Sequence, residues 1–228
     1  GGGGGGVGID LDGEHNGDNN RIIGGVESNP GRYPYAVSLS DRHGHFCGAS
    51  LIARDVALSA AHCQGGPYSV VVGRHDLEGD PSGVGEAVPM REEVPHPDYN
   101  DRTTDNDFML VFLERPVASQ YVEFVRLNSD SSVPEVDAPV TVVGWGDTDP
   151  SQASALSEVL MEVEVNVISN EECEASEGTT AGWWAYDYQG QITDSMLCAK
   201  DGGEDACQGD SGGPLVIRGA TTGDGGEG

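Results

Sequence analysis

The apolar residues of this chain come in short runs, at 36–39, 70–72, 108–113, 140–143, 160–167 and 215–217, and clusters of Gly, Pro, Asn and Asp separate them. Runs of this length, alternating or rich in β-branched residues and bounded by turn formers, suit strands and are too short for ordinary helices. The pattern predicts an all-β fold, a barrel or a sandwich. Helical signals are few. Residues 59–63 suit one turn, and Ser169 or Asn170 is placed to cap a short helix with Glu171 and Glu172 in its first turn. No stretch approaches the roughly 20 consecutive apolar residues of a membrane-spanning helix.

Both ends read differently from the middle. Residues 1–20 begin with a glycine run, Gly1 to Gly6, and add Asp10, Asp12, Glu14 and Asp18 with little to bury, so a flexible leader is expected there. Residues 219–228 are again Gly-rich and polar, and they are expected to be a loop whose following strand is absent. The charge is one-sided, with 39 Asp and Glu against 11 Lys and Arg and a net charge of -28 at pH 7. Such a surface repels phosphate backbones and anionic lipid, which argues against nucleic acid and membrane as partners; most of the charge reads as a solvated face.

Five cysteines stand at 47, 63, 173, 198 and 207, none paired at zinc-knuckle spacing, which disfavours a structural metal site. Their odd number leaves one orphan. The run Gly209-Asp210-Ser211-Gly212-Gly213-Pro214 sets a serine among glycines, where side chains do not crowd it and backbone N–H groups can face a bound oxygen. A hydroxyl near neutral pH is a poor nucleophile, so it needs a base close in space and a group that orients the base. The segments Ser59-Ala60-Ala61-His62-Cys63 and Asn106-Asp107-Phe108-Met109-Leu110 offer both. Asp101 and Asp105 lie near Asp107, but only Asp107 has an Asn before it and an apolar run after it.

These three segments, in the order His, Asp, Ser, resemble the trypsin and chymotrypsin family of serine proteases, the worked case for the Ser-His-Asp triad. The resemblance covers residues 22 to about 218 and implies two antiparallel β-barrels packed face to face. Residues 1–21 would be leader and activation segment and 22–228 the protease domain. Its first barrel would span about 30–128, carrying His62 and Asp107, and its second about 129–228, carrying Ser211 and incomplete at the C-terminus. By the same resemblance Ser211 attacks the scissile carbonyl, His62 carries the proton, Asp107 orients His62, and the N–H groups of Gly209 and Ser211 form the oxyanion hole.

The segment Arg21-Ile22-Ile23-Gly24-Gly25 resembles an activation site, where cleavage after Arg21 would free the Ile22 ammonium to pair with Asp210; His45 resembles the family histidine that holds Asp210 beforehand. Asp205 matches the carboxylate on the floor of the specificity pocket and implies cleavage after Arg or Lys. The cysteines fit the disulfides Cys47–Cys63 and Cys173–Cys198, with Cys207 the orphan. Where relatives bind calcium, the loop after Gly73 begins with Arg74 and reaches Glu86, so either calcium binds there or an Arg74 to Glu86 salt bridge stands in for the ion.

The reading is thus a secreted, monomeric serine endopeptidase made as a zymogen. It needs no cofactor or metal and takes protein or peptide substrates with Arg or Lys at the cleavage site, and protein protease inhibitors are further partners. The family's Ser-Trp-Gly strand and C-terminal helix do not follow residue 217, so the chain as given is expected to be weakly stable and poorly active. The rival reading is a non-catalytic protease homologue acting as a binding scaffold.

Overall fold

The short apolar runs do form strands. The computed structural model describes residues 25–79, 85–146, 156–180, 184–200 and 210–217, with backbone alone for 177–180 and 184–187. Strands β1 (Val26–Glu27), β2 (Ala36–Asp41), β3 (Gly44–Ala53), β4 (Val56–Ser59), β5 (Ser69–Val72), β6 (Glu86–Pro95) and β7 (Met109–Leu113) come first. They are followed by β8 (Pro139–Gly144), β9 (Met161–Ile168), β10 (Glu177–Thr180), β11 (Trp184–Asp187), β12 (Cys198–Lys200) and β13 (Leu215–Val216). Helix is confined to a 3-10 turn, Ala61–Cys63, and to α1, Asn170–Glu174. Ser169 caps α1, its hydroxyl accepting from Glu172 N at 3.1 Å.

Six strands close a barrel in the order β2-β3-β4-β7-β6-β5. Its interior follows from the period of two along each strand. Val37 and Leu39 of β2, Ala49 and Leu51 of β3, Ala57 of β4, Val70 and Val72 of β5, Val88 of β6 and Val111 of β7 are all fully buried in one cluster. Each large aliphatic side chain removed from water in this way contributes about 1.5–3 kcal/mol. That rigid core is what holds the barrel's loops in place.

The second sheet runs β1-β9-β8-β13, with β12 also paired to β9, and it does not close among the described residues. Val140, Met161, Val163, Val165 and Val167 form its core. A further cluster joins the two halves: Ala36 of the barrel packs with Tyr33, Val143, Trp145 and Leu160. The architecture is all-β with two packed β units, as the family resemblance implies, the first closed and the second open. Disulfides join Cys47 to Cys63 and Cys173 to Cys198. Arg21, Ile22, Asp205, Cys207 and Gly209 lie outside the described residues.

Candidate active site

His62 sits in the 3-10 turn that leaves β4. Its neighbours Ala61 and Cys63 are buried and pin the turn to the barrel core, and the Cys47–Cys63 disulfide ties it to β3. The side chain is left 41% exposed. Asp107 reaches it from the loop before β7 and holds it at two points: His62 N donates to Oδ1 at 2.8 Å, and Nδ1 lies 2.6 Å from Oδ2. An ionised carboxylate can only accept, so Nδ1 carries the hydrogen, and in the neutral ring Nε2 is left as the acceptor. That is the tautomer a general base needs.

Ser211 comes from the turn before β13 and is laid against the first barrel by backbone contacts. Gly48 N of β3 donates to Ser211 O at 2.8 Å. Two glycines make the approach feasible. Gly212 has φ of 79°, and a Cβ there would lie 2.3 Å from Ser59 Oγ and 2.6 Å from Gly48 O; a Cβ on Gly48 would lie 2.8 Å from Gly213 Cα. Side chains at either place would lift the serine turn away from the barrel. His62 and Ser211 thereby line one open cleft of about 360 Å³ with Asp41, Phe46, Gln64, Gly65 and the Cys47–Cys63 disulfide. Among the described residues no direct hydrogen bond links the His62 ring to the Ser211 hydroxyl, a looseness common before substrate binds.

Asp210, next to the serine, is 7% exposed. Gly146 N donates to its Oδ1 at 2.7 Å, and a Cβ on Gly144 or Gly146 would fall 2.1 Å from a carboxylate oxygen. The end of β8 is therefore shaped around this carboxylate. His45 Nδ1 lies 2.7 Å from Ser38 Oγ, with its ring 5.4 Å from that of Trp145.

Cys47, His62 and Cys63 bring three potential metal-ligating atoms within 4.8 Å of one another. The two sulfurs are bonded to each other, however, and no thiolate remains to ligate. The loop after Gly73 corrects one expectation. Arg74 does not bridge to Glu86: its guanidinium donates to the carbonyls of Asp76 and Leu77 and, at 3.3 Å, to Ser40 Oγ. Glu86, at the start of β6, faces the segment after β7 instead. It pairs with Arg115 and accepts from Ala118 N and Ser119 N, each at 2.8 Å. Burial works against its charge, but these donors hold its carboxyl below the ordinary range. With a fixed cation already donating to two loop carbonyls, the described part of this loop does not fit a calcium ion, which needs such oxygens free.

Residue-pattern reasoning passed over one feature beside Asp107. The carboxylate of Asp105 accepts from Thr193 Oγ1 at 2.7 Å and Ser195 Oγ at 2.5 Å. These hydroxyls lie 88 and 90 residues away along the chain, and nothing local marks them.

Comparison with known proteins agrees with this geometry. The Trypsin family model matches residues 22–223. The anionic trypsin of Canis lupus familiaris is 36% identical over 212 residues, covering 90% of this chain and 78% of the relative. Trypsin-4 of Rattus norvegicus is 37% identical over 209 residues, with 90% and 78% covered. Kallikrein-11 of Mus musculus is 36% identical over 216 residues, with 92% and 73% covered. A family model that takes in both halves of the fold, and relatives at this identity across most of their own length, show that the chain belongs to the trypsin family.

Proposed function

We propose that this chain is a serine endopeptidase that hydrolyses peptide bonds after Arg or Lys, with Ser211 as nucleophile, His62 as general base and then acid, and Asp107 as the group that orients His62. The observation that carries the reading is the two-point hold of Asp107 on His62, in a cleft that Ser211 also lines. In the acylation step Ser211 Oγ bonds to the scissile carbonyl carbon while its proton passes to His62 Nε2. The tetrahedral intermediate collapses as His62 returns that proton to the leaving amine. Water, activated by the same imidazole, then hydrolyses the acyl-enzyme. Gly209 N and Ser211 N bind the oxyanion in both steps.

Asp205 provides the negative charge that receives the substrate's Arg or Lys. The chain is made as a zymogen: cleavage after Arg21 frees the Ile22 ammonium, which enters the glycine-shaped site of Asp210 and orders the turn before Ser211. A buried carboxylate of this kind favours a cationic neighbour, which supports the assignment. Residues 22–228 act as one protease domain behind a 1–21 leader. Arg21 suits the enzyme's own pocket, so activation is autocatalytic. Two disulfides suit an oxidising, extracellular setting. The partners are protein or peptide substrates and protein protease inhibitors, and the protein is a monomer.

The test is to cut the chain after Arg21, then follow covalent labelling by a serine-reactive phosphonate and release of a chromophore from an Arg peptide. Both are expected, at a reduced level for the chain as given, and Ser211→Ala abolishes both. The same assay tests the rival reading, a non-catalytic homologue acting as a binding scaffold, which a cut wild-type protein that takes no phosphonate would establish over the enzyme.

A further inference from the structure

We infer that Asp105 is a positioning residue, which with Thr193 and Ser195 clasps the loop carrying Asp107 and keeps the Asp107 carboxylate turned toward His62. This rests on the assignment of His62, Asp107 and Ser211 as the catalytic groups. The Asp105 carboxylate accepts from Thr193 Oγ1 at 2.7 Å and from Ser195 Oγ at 2.5 Å, and Ser195 Oγ accepts in turn from Asn106 N at 3.2 Å. Each hydroxyl has one hydrogen and gives it to the carboxylate, so their own 3.0 Å approach is a contact and not a further bond. Both hydroxyls converge on Oδ1, and these bonds hold the Asp105 carboxyl below its ordinary range, with Ser195 as the largest cause.

The loop needs such a hold. Thr104 and Asn106, on either side of Asp105, have φ of 55° and 54°. The left-handed region is unfavourable for residues with a Cβ, above all a β-branched one, and persists only where surroundings impose it. Asp107 is the next residue after Asn106, so relaxation of this turn re-aims the carboxylate that grips His62. The other side of the clasp is firmly anchored. Asn170 Nδ2, in the first residue of α1, donates to Thr193 O and Met196 O at 3.1 Å each, and the Cys173–Cys198 disulfide ties α1 to the strand that follows. The second half of the molecule thus sets the orientation of a group the first half supplies.

The experiment measures, on the cut full chain, both the amplitude and the rate constant of phosphonate labelling, together with kcat and KM for an Arg ester. Asp105→Ala is expected to label to full amplitude at a rate about tenfold or more below wild type, with kcat falling in parallel and KM nearly unchanged, because sub-ångström misplacement of a catalytic group costs rate before binding. Asp105→Asn, which keeps an accepting oxygen, recovers most of the rate. Thr193→Val with Ser195→Ala repeats the loss and adds little to Asp105→Ala. Ser195→Ala alone, the mildest change, gives an intermediate rate. A clasp that only stabilised the fold would lower the amplitude and leave the rate constant of the folded fraction untouched, which overturns the proposal. Asp130→Asn removes a carboxylate bonded by Ser132 within its own loop and leaves the rate unchanged. Wild type that neither labels nor hydrolyses refutes the catalytic assignment itself; wild type and Asp105→Ala labelling at one rate refute the clasp alone.

Discussion

Gly48→Ala tests whether the serine turn is held by close backbone contact with the first barrel. The substitution needs no unusual backbone conformation at residue 48, so its effect isolates packing. The added Cβ would stand 2.8 Å from Gly213 Cα and 2.9 Å from Gly213 N, while ordinary contact begins at 3.4 Å. The turn must therefore retreat by about 0.5–0.6 Å, the difference between these distances, and both facing atoms are backbone with no rotamer to give way. Overpacking of this kind costs about 1–3 kcal/mol, which for a chain of this size lowers Tm by roughly 2–12 °C. Gly48 N also donates to Ser211 O, so the retreat is transmitted to the nucleophile. Since about 1 Å of misplacement can cost a hundredfold in rate, this shift is expected to lower the phosphonate labelling rate about tenfold. The assay pairs thermal melting with labelling kinetics at a temperature where the variant is fully folded. A Gly48→Ala protein that melts and labels like wild type would show that the turn does not rest on β3, and the geometric case for the site would fail with it.

Asp107→Asn places an amide opposite His62 Nδ1 and permits the tautomer with the hydrogen on Nε2, so kcat should fall by orders of magnitude while Tm changes little; equal kcat values would refute the orienting role. Because Arg74 already donates to the loop carbonyls, millimolar calcium or EDTA should move Tm by less than about 1 °C, and a clear calcium-dependent rise would overturn that assignment. Glu86 and Asp130 are both held below the ordinary carboxylate range, Glu86 by Arg115 and backbone donors against its burial and Asp130 chiefly by the Ser132 hydroxyl. A depressed folded pKa gives stability that is present above the unfolded value and lost as pH falls through the folded one. Melting between pH 5 and 2, around the ordinary carboxylate value of about 4, should therefore decline less steeply for Glu86→Gln with Asp130→Asn than for wild type. An unchanged slope would contradict the shifts.

Most of the strands that the residue pattern revealed, β2, β5, β7, β8 and β9, carry a buried apolar face, whereas β13, also read from its apolar run, is largely exposed. Met109 and Leu113 of β7 are 1% exposed and Val111 is fully buried, and an unbroken apolar run is what a barrel strand lined with such residues looks like. β6 escaped notice because Val88 is its only core residue, while Pro89, Arg91, Glu92 and Glu93 give it the composition of a loop. Its place is set by pairing with β5 and β7, which is tertiary information. The His62 and Asp107 segments were legible only together with the Ser211 segment, through their resemblance to the serine protease family; the structure adds that buried Ala61 and Cys63 flank His62 and that buried Met109 stands two residues after Asp107. The Arg74 expectation comes from the resemblance to a calcium-binding loop, which places Arg74 and Glu86 around one ion, but backbone carbonyls two and three residues on are within easier reach of the guanidinium.

What no residue pattern conveys is how the halves grip each other around the cleft. Gly48 N bonds to Ser211 O, Trp145 Nε1 donates to His75 O at 3.0 Å, and Leu77 N donates to Glu158 O at 2.6 Å. Together with the Asp105 clasp, these ties cross from barrel to second sheet at points far apart in sequence, and two of them run from backbone to backbone with no side-chain signature. Each half brings its own core, yet neither contains a complete set of candidate catalytic groups. The distance from base to nucleophile is consequently a property of the interface. Substitutions that leave both cores intact but loosen these crossing bonds, as Gly48→Ala does, should lower the rate even at temperatures where the protein is still fully folded.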